Sequence, residues 1–360
     1  MRETFADLDR WQRKGEEIAL ATLVRVHGSA PRPAGARLFV TRSGRMTGSI
    51  SGGCVDNDVF EQALRVLEGA RPALASYGIA DELDLGVGLS CGGSIDVLIE
   101  PFDPDPAWQA VRRAVEQGRP VALAVGLGPA SLLGRRLVLA GDDARAGGVD
   151  PVLDPTLVAE AGALLGTEAT QVASLPWREG EATVFLEAFP LAQRLFIVGA
   201  THTAIPLCRM ARELGFRVSV IDPRSAFASE ERFPEADEVF RAWPDEILAS
   251  AHLNADAYVV TLTHDPKFDL PTLAHALRSE ARYVGALGSR STHERRKQRL
   301  REQGFGEADL ERIRAPVGLD IGGRSPEEIA LAILAEMVAV RHGREGRALR
   351  KRQAPIHADG

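Results

Sequence analysis

A continuously apolar run, Leu195-Phe196-Ile197-Val198, leads directly into Gly199-Ala200-Thr201-His202-Thr203-Ala204 and then into a helical pattern ending near Leu214. A strand without polar alternation is covered on both faces, which requires a parallel sheet with helices on each side. Gly215 stops the helix, Arg217 to Ile221 forms the next strand, and Asp222 stands 23 positions beyond Gly199. That is close to the spacing at which an acidic side chain meets a ribose hydroxyl in a dinucleotide-binding sheet. Strand and helix patterns keep alternating, so residues 191–342 are expected to form an α/β domain with a doubly wound parallel sheet.

The glycine pattern of that turn is incomplete. Gly199 and Ala204 fit the first and last small positions of a dinucleotide loop, but Thr201 occupies the place where a second glycine lets backbone approach a pyrophosphate. Two readings stay open: a nucleotide loop following another path, or a Rossmann-like sheet with no tightly bound nucleotide. Two more loops fall at the carboxyl ends of strands, where such sheets place ligands: Thr263-His264-Asp265-Pro266 after Tyr258 to Thr261, and Gly288-Ser289-Arg290 after Tyr283 to Leu287. Gly199, Ala200, His202, Asp222, His264, Gly288, Ser289 and Arg290 are therefore candidate ligand residues. His264 could exchange protons near neutrality or simply hydrogen-bond, with Asp265 capping a helix. Gly288-Ser289-Arg290 suits a phosphate, or Ser289 is a plain helix cap. Pro316 to Gly323 reads as strand and turn. Ser325-Pro326-Glu327-Glu328 is a strong helix start, and the helix is expected to reach about Val340.

The first 190 residues read as an α+β domain: a helix over 3–14, a strand from Ile18 to Val26, a Gly/Pro loop from His27 to Gly35, and a strand from Arg37 to Thr41. Val121 to Val125, Arg136 to Ala140 and Ala182 to Ala188 read as a mostly antiparallel sheet, Ser174 to Gly180 as a turn, and the domain boundary falls near Pro190. Two near-mirrored clusters stand out, Ser51-Gly52-Gly53-Cys54 and Cys91-Gly92-Gly93-Ser94. Glycines beside a thiol leave open space and reachable N–H groups, which suits an anionic or sulfur-bearing ligand. The alternative is that the glycines serve tight turns and the cysteines are small buried hydrophobes. Apolar residues after Cys54 recur at helical spacing, which puts Cys54 at a helix N-terminus, where thiolates and anions are favoured. Cys91 lies in a loop entering the strand Ile95 to Ile99. Cys208 sits among Ile205, Leu207 and Ala211 and reads as core.

The formal net charge of −7 argues against a general nucleic-acid binder. The polar, acidic N-terminus and the lack of a long apolar run predict no membrane segment and a cytoplasmic protein. Three scattered cysteines make no disulfide framework. Residues 343–360 read as a basic, flexible tail.

Gly48-Ser49-Ile50-Ser51-Gly52-Gly53-Cys54-Val55-Asp56, Cys91-Gly92-Gly93, Val284-Gly285-Ala286-Leu287-Gly288-Ser289-Arg290 and Pro326-Glu327-Glu328-Ile329-Ala330 together resemble the XdhC/CoxI family. The resemblance implies an accessory factor, not itself a hydroxylase. Such a factor binds molybdenum cofactor (molybdopterin), protects it while a cysteine desulfurase installs sulfur, and delivers it to a molybdenum hydroxylase apoenzyme such as xanthine dehydrogenase or carbon monoxide dehydrogenase. It assigns Gly52, Gly53, Cys54, Cys91, Gly92 and Gly93 to the cofactor, the two thiols near molybdenum. The turns at Gly199 to His202 or Gly288 to Arg290 would take its phosphate or nucleotide part. Thr201 departs from the glycine common in the family's turn. Two other functions compete: an NAD(P)-dependent oxidoreductase using the C-terminal sheet, with His264 or a cysteine as acid, and an interaction scaffold without cofactor. A homodimer is the expected assembly.

Overall fold

The computed structural model describes residues 2–78, 92–141, 144–167, 169–189 and 192–351. Two compact units divide the chain at Leu191/Ala192.

The first unit begins with α1 (Arg2–Gln12), β1 (Ile18–His27), β2 (Arg37–Thr41), β3 (Met46–Gly48), α2 (Asp56–Leu67), β4 (Ala73–Tyr77) and β5 (Ser94–Pro101). It continues with α3 (Pro106–Gln117), β6 (Val121–Gly128), β7 (Arg136–Ala140), β8 (Arg145–Gly148), α4 (Asp154–Leu164), β9 (Thr170–Trp177) and β10 (Gly180–Phe189). These are the same module twice. Both antiparallel sheets have five strands in equivalent order, β3-β2-β1-β5-β4 and β8-β7-β6-β10-β9. The echo reaches the residues: Gly35, Arg37, Leu38 and Gly48 recur 99 positions later as Gly134, Arg136, Leu137 and Gly147. Gly48 and Gly147 have φ of +89° and +75°, and a Cβ at either would collide with the carbonyl oxygen of Arg37 or Arg136 respectively.

Alternate residues of β1 explain the layering. Ile18, Leu20 and Val24 join one core with Phe39, Leu98, Val121, Leu123, Val125 and Phe185, into which α1 and α3 also send Trp11 and Trp108. Ala19, Ala21 and Leu23 face the opposite side, where α2 packs through Val59, Ala63 and Val66. α4 covers the equivalent face of the second sheet through Leu157 and Ala161. Two buried ion pairs cross between the sheets, Arg37 to Glu187 and Arg136 to Glu100, and both guanidinium groups lie over Trp108.

The second unit contains β11 (Arg194–Val198), α5 (Ala204–Glu213), β12 (Arg217–Ile221), β13 (Glu238–Phe240), α6 (Pro244–Ser250), β14 (Ala257–Thr261) and α7 (Pro266–Leu277). After these come β15 (Tyr283–Ala286), α8 (Arg290–Glu302), α9 (Glu307–Glu311), β16 (Ile313–Arg314) and α10 (Pro326–Arg341). The six strands are parallel in the order β13-β12-β11-β14-β15-β16, the doubly wound arrangement expected from the sequence. Leu195 and Ile197 pack with α5 and α10, Phe196 and Val198 with α6 and α7.

Two expectations need correction. Ser174 to Trp177 belong to β9, and the turn is only Arg178 and Glu179, because β9 pairs with β10 right up to Trp177 and Gly180. No strand occupies Pro316 to Gly323; Gly318 is instead tied to α10, its N–H donating to Glu336 (3.0 Å). No described helix is long and apolar enough to cross a membrane.

Candidate functional site

In the first module three connections leave the sheet at the edge where β1 ends, and each has more residues than its counterpart in the second. The β1–β2 loop has nine residues against seven, the β3–α2 loop seven against five, and sixteen residues separate β4 from β5 against two between β9 and β10, residues 79–91 lying outside the described ones. The described parts of the three meet. A Cβ at Gly52 would touch Pro31 at 3.9 Å, and one at Gly93 would strike the carbonyls of Ser29 and of His27 (2.7 Å). Gly52, Gly53, Cys54 and Gly92 are exposed there, with His27, Gly28, Ser29, Pro31 and Arg32 beside them, while Gly93 is buried. Cys91 lies outside the described residues.

Asp56 shapes the first cluster. Its carboxylate accepts from the N–H groups of Ile50 (3.1 Å) and Ser51 (2.9 Å) and from the hydroxyls of Ser49 (2.6 Å) and Ser51 (3.0 Å). Burial pushes this carboxyl up, but the hydrogen bonds outweigh it and hold Asp56 below the ordinary carboxylate range. Ser49 and Ser51 hydroxyls accept in turn from the N–H groups of Gly52 and Val55, both at 2.9 Å. The N–H groups of Ile50, Ser51, Gly52 and Val55 are thus engaged within the turn, contrary to the expectation of open donors there. A fixed backbone displays an exposed Cys54 just ahead of α2. Cys208 is in the core as expected, and burial pushes its thiol up to about 12.

At the carboxyl edge of the parallel sheet, three of the expected loops converge. Gly199 has φ +100° and its missing Cβ makes room for the Thr263 methyl. A buried pair, Arg296 with Asp269, ties the neighbouring loops: Arg296 donates to the carbonyls of Leu287 (2.8 Å) and Thr263 (3.3 Å), and Asp269 accepts from the Thr261 and Thr263 hydroxyls. Ser289 caps α8, accepting from the N–H of Thr292 (3.2 Å), and Asp265 caps α7, accepting from that of Lys267 (2.9 Å). His202, His264 and Arg290 are exposed along this edge, whereas Ala200 is buried. Asp222 is buried at the end of β12, and its carboxylate accepts from the Ala200 N–H (2.9 Å) and from Arg224 through backbone N (3.0 Å), Nε (2.9 Å) and Nη2 (2.6 Å). Despite burial, these bonds keep the Asp222 carboxyl below its usual range.

A sequence model described as the XdhC Rossmann domain matches residues 195–337, and one described as the XdhC and CoxI family matches residues 11–78. The chain belongs to the XdhC and CoxI family. This XdhC-type chain is 29% identical over 338 residues to a Bacillus subtilis (strain 168) protein named as a probable xanthine dehydrogenase subunit, covering 93% of the chain and 96% of the relative. It is 29% identical over 327 residues to the Escherichia coli (strain K12) molybdenum cofactor insertion chaperone PaoD, covering 91% and 84%. A crystal structure described as a xanthine dehydrogenase from Bacillus halodurans superposes with a TM-score of 0.76 at 26% identity, over 94% of this chain and 95% of that one. The resemblance drawn from the four motifs therefore holds, as does the fold class.

Three features of these sites escape sequence reasoning. Asp56 stands within the family-like motif, but its role as acceptor for the turn before it shows only in the fold. Arg224 follows Asp222 by only two residues, and that proximity is the one signal that could have found it. The duplication leaves only a faint trace in the sequence, the recurring glycine, arginine and leucine, because nearly everything between them differs.

Proposed function

We propose that the chain carries molybdenum cofactor as cargo, shields it while a cysteine desulfurase supplies sulfur, and delivers it to the apoenzyme of a molybdenum hydroxylase such as xanthine dehydrogenase or carbon monoxide dehydrogenase. One observation carries the reading: the described parts of three lengthened connections of the first module meet beside the turn that displays the exposed Cys54, in a chain related to a protein named as a molybdenum cofactor insertion chaperone. Molybdenum with dithiolene sulfur is a soft centre, for which thiolates are suitable neighbours. Cys54 and Cys91 take the metal side, and Gly52, Gly53 and Gly92 leave the space a bulky cargo needs, while Gly93 lets the backbone of His27 to Ser29 pass close by. Residues 1–190 are the cargo domain and 191–342 a Rossmann-like partner domain, acting in a cytoplasmic homodimer.

The test is to purify the protein from cells that make molybdenum cofactor and to identify bound pterin by mass spectrometry. Wild type should carry a pterin and activate an apo-hydroxylase, while the C54S/C91S variant should lose most of both. A pterin-free wild type, or a double variant that loads and delivers as well as wild type, would overturn the proposal.

A further inference from the structure

We infer that the edge of the parallel sheet beside β12 is a second ligand site, which recognises a phosphomonoester on a ligand bearing a flat heteroaromatic ring and discriminates against NAD. The inference stands independently of the cofactor reading above. An Asp at the end of the second strand selects NAD by accepting the ribose hydroxyls, whereas a nearby Arg accommodates a 2′-phosphate. Here Asp222 has no acceptor capacity to spare. Its two oxygens already receive four hydrogen bonds, three of them from Arg224. A ribose diol would have to break that set.

The surrounding groups suit an anion and a ring. The Arg224 side chain stays 44% exposed while clamped to Asp222, and its guanidinium carbon lies 4.2 Å from the centre of the Phe227 ring and 5.6 Å from that of Phe268. Trp243 stacks on Phe268 with centroids 5.2 Å apart, and both Phe227 and Trp243 are largely exposed for aromatic residues. Arg232 donates through Nη1 to the carbonyls of Phe227 (2.6 Å) and Ala200 (3.2 Å), which pins a second guanidinium between the glycine turn and the aromatic group. Arg241 donates to the carbonyl of Ala228 (2.9 Å) on the same loop. Arg224, Arg232 and Arg241 thus bring three guanidinium groups to this loop, which also carries the exposed Glu230 and Glu231, while Asp222 is the carboxylate that Arg224 clamps. Planar guanidinium groups held in place match phosphate geometry, and exposed aromatic faces match a nucleobase or pterin.

The full chain, freed of bound small molecules, is titrated with NADP⁺, NAD⁺, cytidine 5′-monophosphate and inorganic phosphate by calorimetry. NADP⁺ is expected to bind at least about tenfold more tightly than NAD⁺, the difference one charge-assisted contact supplies. If the monoester belongs to a mononucleotide, cytidine 5′-monophosphate will bind at least as tightly as NADP⁺ and NAD⁺ will still be weak. Phosphate alone should bind more weakly than either monoester, since it lacks the ring. Arg232→Ala should weaken both monoesters and leave NAD⁺ unchanged. Arg224→Ala should release Asp222 to accept a ribose diol, so that NADP⁺ weakens while NAD⁺ improves. Equal binding of NADP⁺ and NAD⁺ by wild type, or no binding of either monoester, overturns the inference. So does an Arg224→Ala variant that weakens both dinucleotides equally, since that is the mark of a structural residue.

Discussion

The crossed ion pair Arg37–Glu187 allows a sharp energetic test, because it joins the two sheets of equivalent strand order. The two side chains are 7% and 8% exposed, and Arg37 donates through Nη1 to Glu187 (2.9 Å) and to the carbonyl of Gly35 (3.0 Å) at the end of the long β1–β2 loop. Glu187→Leu would leave the arginine charged and desolvated, which costs about 3–5 kcal/mol. Arg37→Met would strand the glutamate instead, and would also remove the bond to Gly35 and the stacking over Trp108 and Phe189. It should therefore cost at least as much, roughly 4–5 kcal/mol. The double replacement removes both charges and should come within about 1–2 kcal/mol of wild type. The assay is urea unfolding followed by tryptophan fluorescence in a Trp243→Phe background, which leaves Trp11, Trp108 and Trp177, all in the first unit. At roughly 2–4 °C per kcal/mol, a single variant should also melt about 6–20 °C lower. Additive losses in the double variant, or a single variant costing under about 1 kcal/mol, would refute the reasoning.

Further predictions concern the loops and thiols. Asp56→Ala removes the acceptor of four hydrogen bonds and should destabilise the first unit by roughly 2–4 kcal/mol in the same unfolding assay, with Asp56→Asn intermediate. Because the Asp56 carboxyl sits below its unfolded value, its contribution is present above about pH 4 and is lost as pH falls through the folded value. The urea midpoint gap between wild type and Asp56→Asn should accordingly shrink between pH 5 and pH 3, and a constant gap would contradict the assignment. Gly93→Ala places a methyl against the Ser29 and His27 carbonyls, so a loss of about 1–3 kcal/mol and reduced pterin content are expected. In the native protein iodoacetamide should modify Cys54 readily and Cys208 only after unfolding, as read by peptide mass spectrometry; early modification of Cys208 would contradict its place in the core.

What was legible in the chain followed from periodicity. Leu195 to Val198, Arg217 to Ile221 and the cap at Ser325 carry their structure locally, so the parallel sheet and its last helix could be read directly. β9 was harder: Thr170 to Trp177 is an edge strand of mixed polarity whose identity depends on pairing with β10, a non-local fact. Pro316 to Gly323 looked strand-like from its apolar residues, but pairing in β16 ends at Arg314 and the segment turns back towards α10. The candidate residues themselves were visible as glycine-flanked thiols and strand-end loops. Their state was not, because the saturation of Asp222 by Arg224 and of the first cluster by Asp56 depends on how side chains orient across turns.

The crossed salt links of the first unit give it the character of a pair of subunits within one chain. Arg37 reaches Glu187 while Arg136 reaches Glu100, each joining the first residue of one module's second strand to the last strand of the other. Reciprocal contacts of that kind characterise two identical protomers related by a dyad. The first unit is in that sense an internal dimer, each half supplying the arginine of one link and the glutamate of the other. The halves differ where their strands end, with nine, seven and sixteen connecting residues in one against seven, five and two in the other, and the exposed Cys54 belongs to the half with the longer connections.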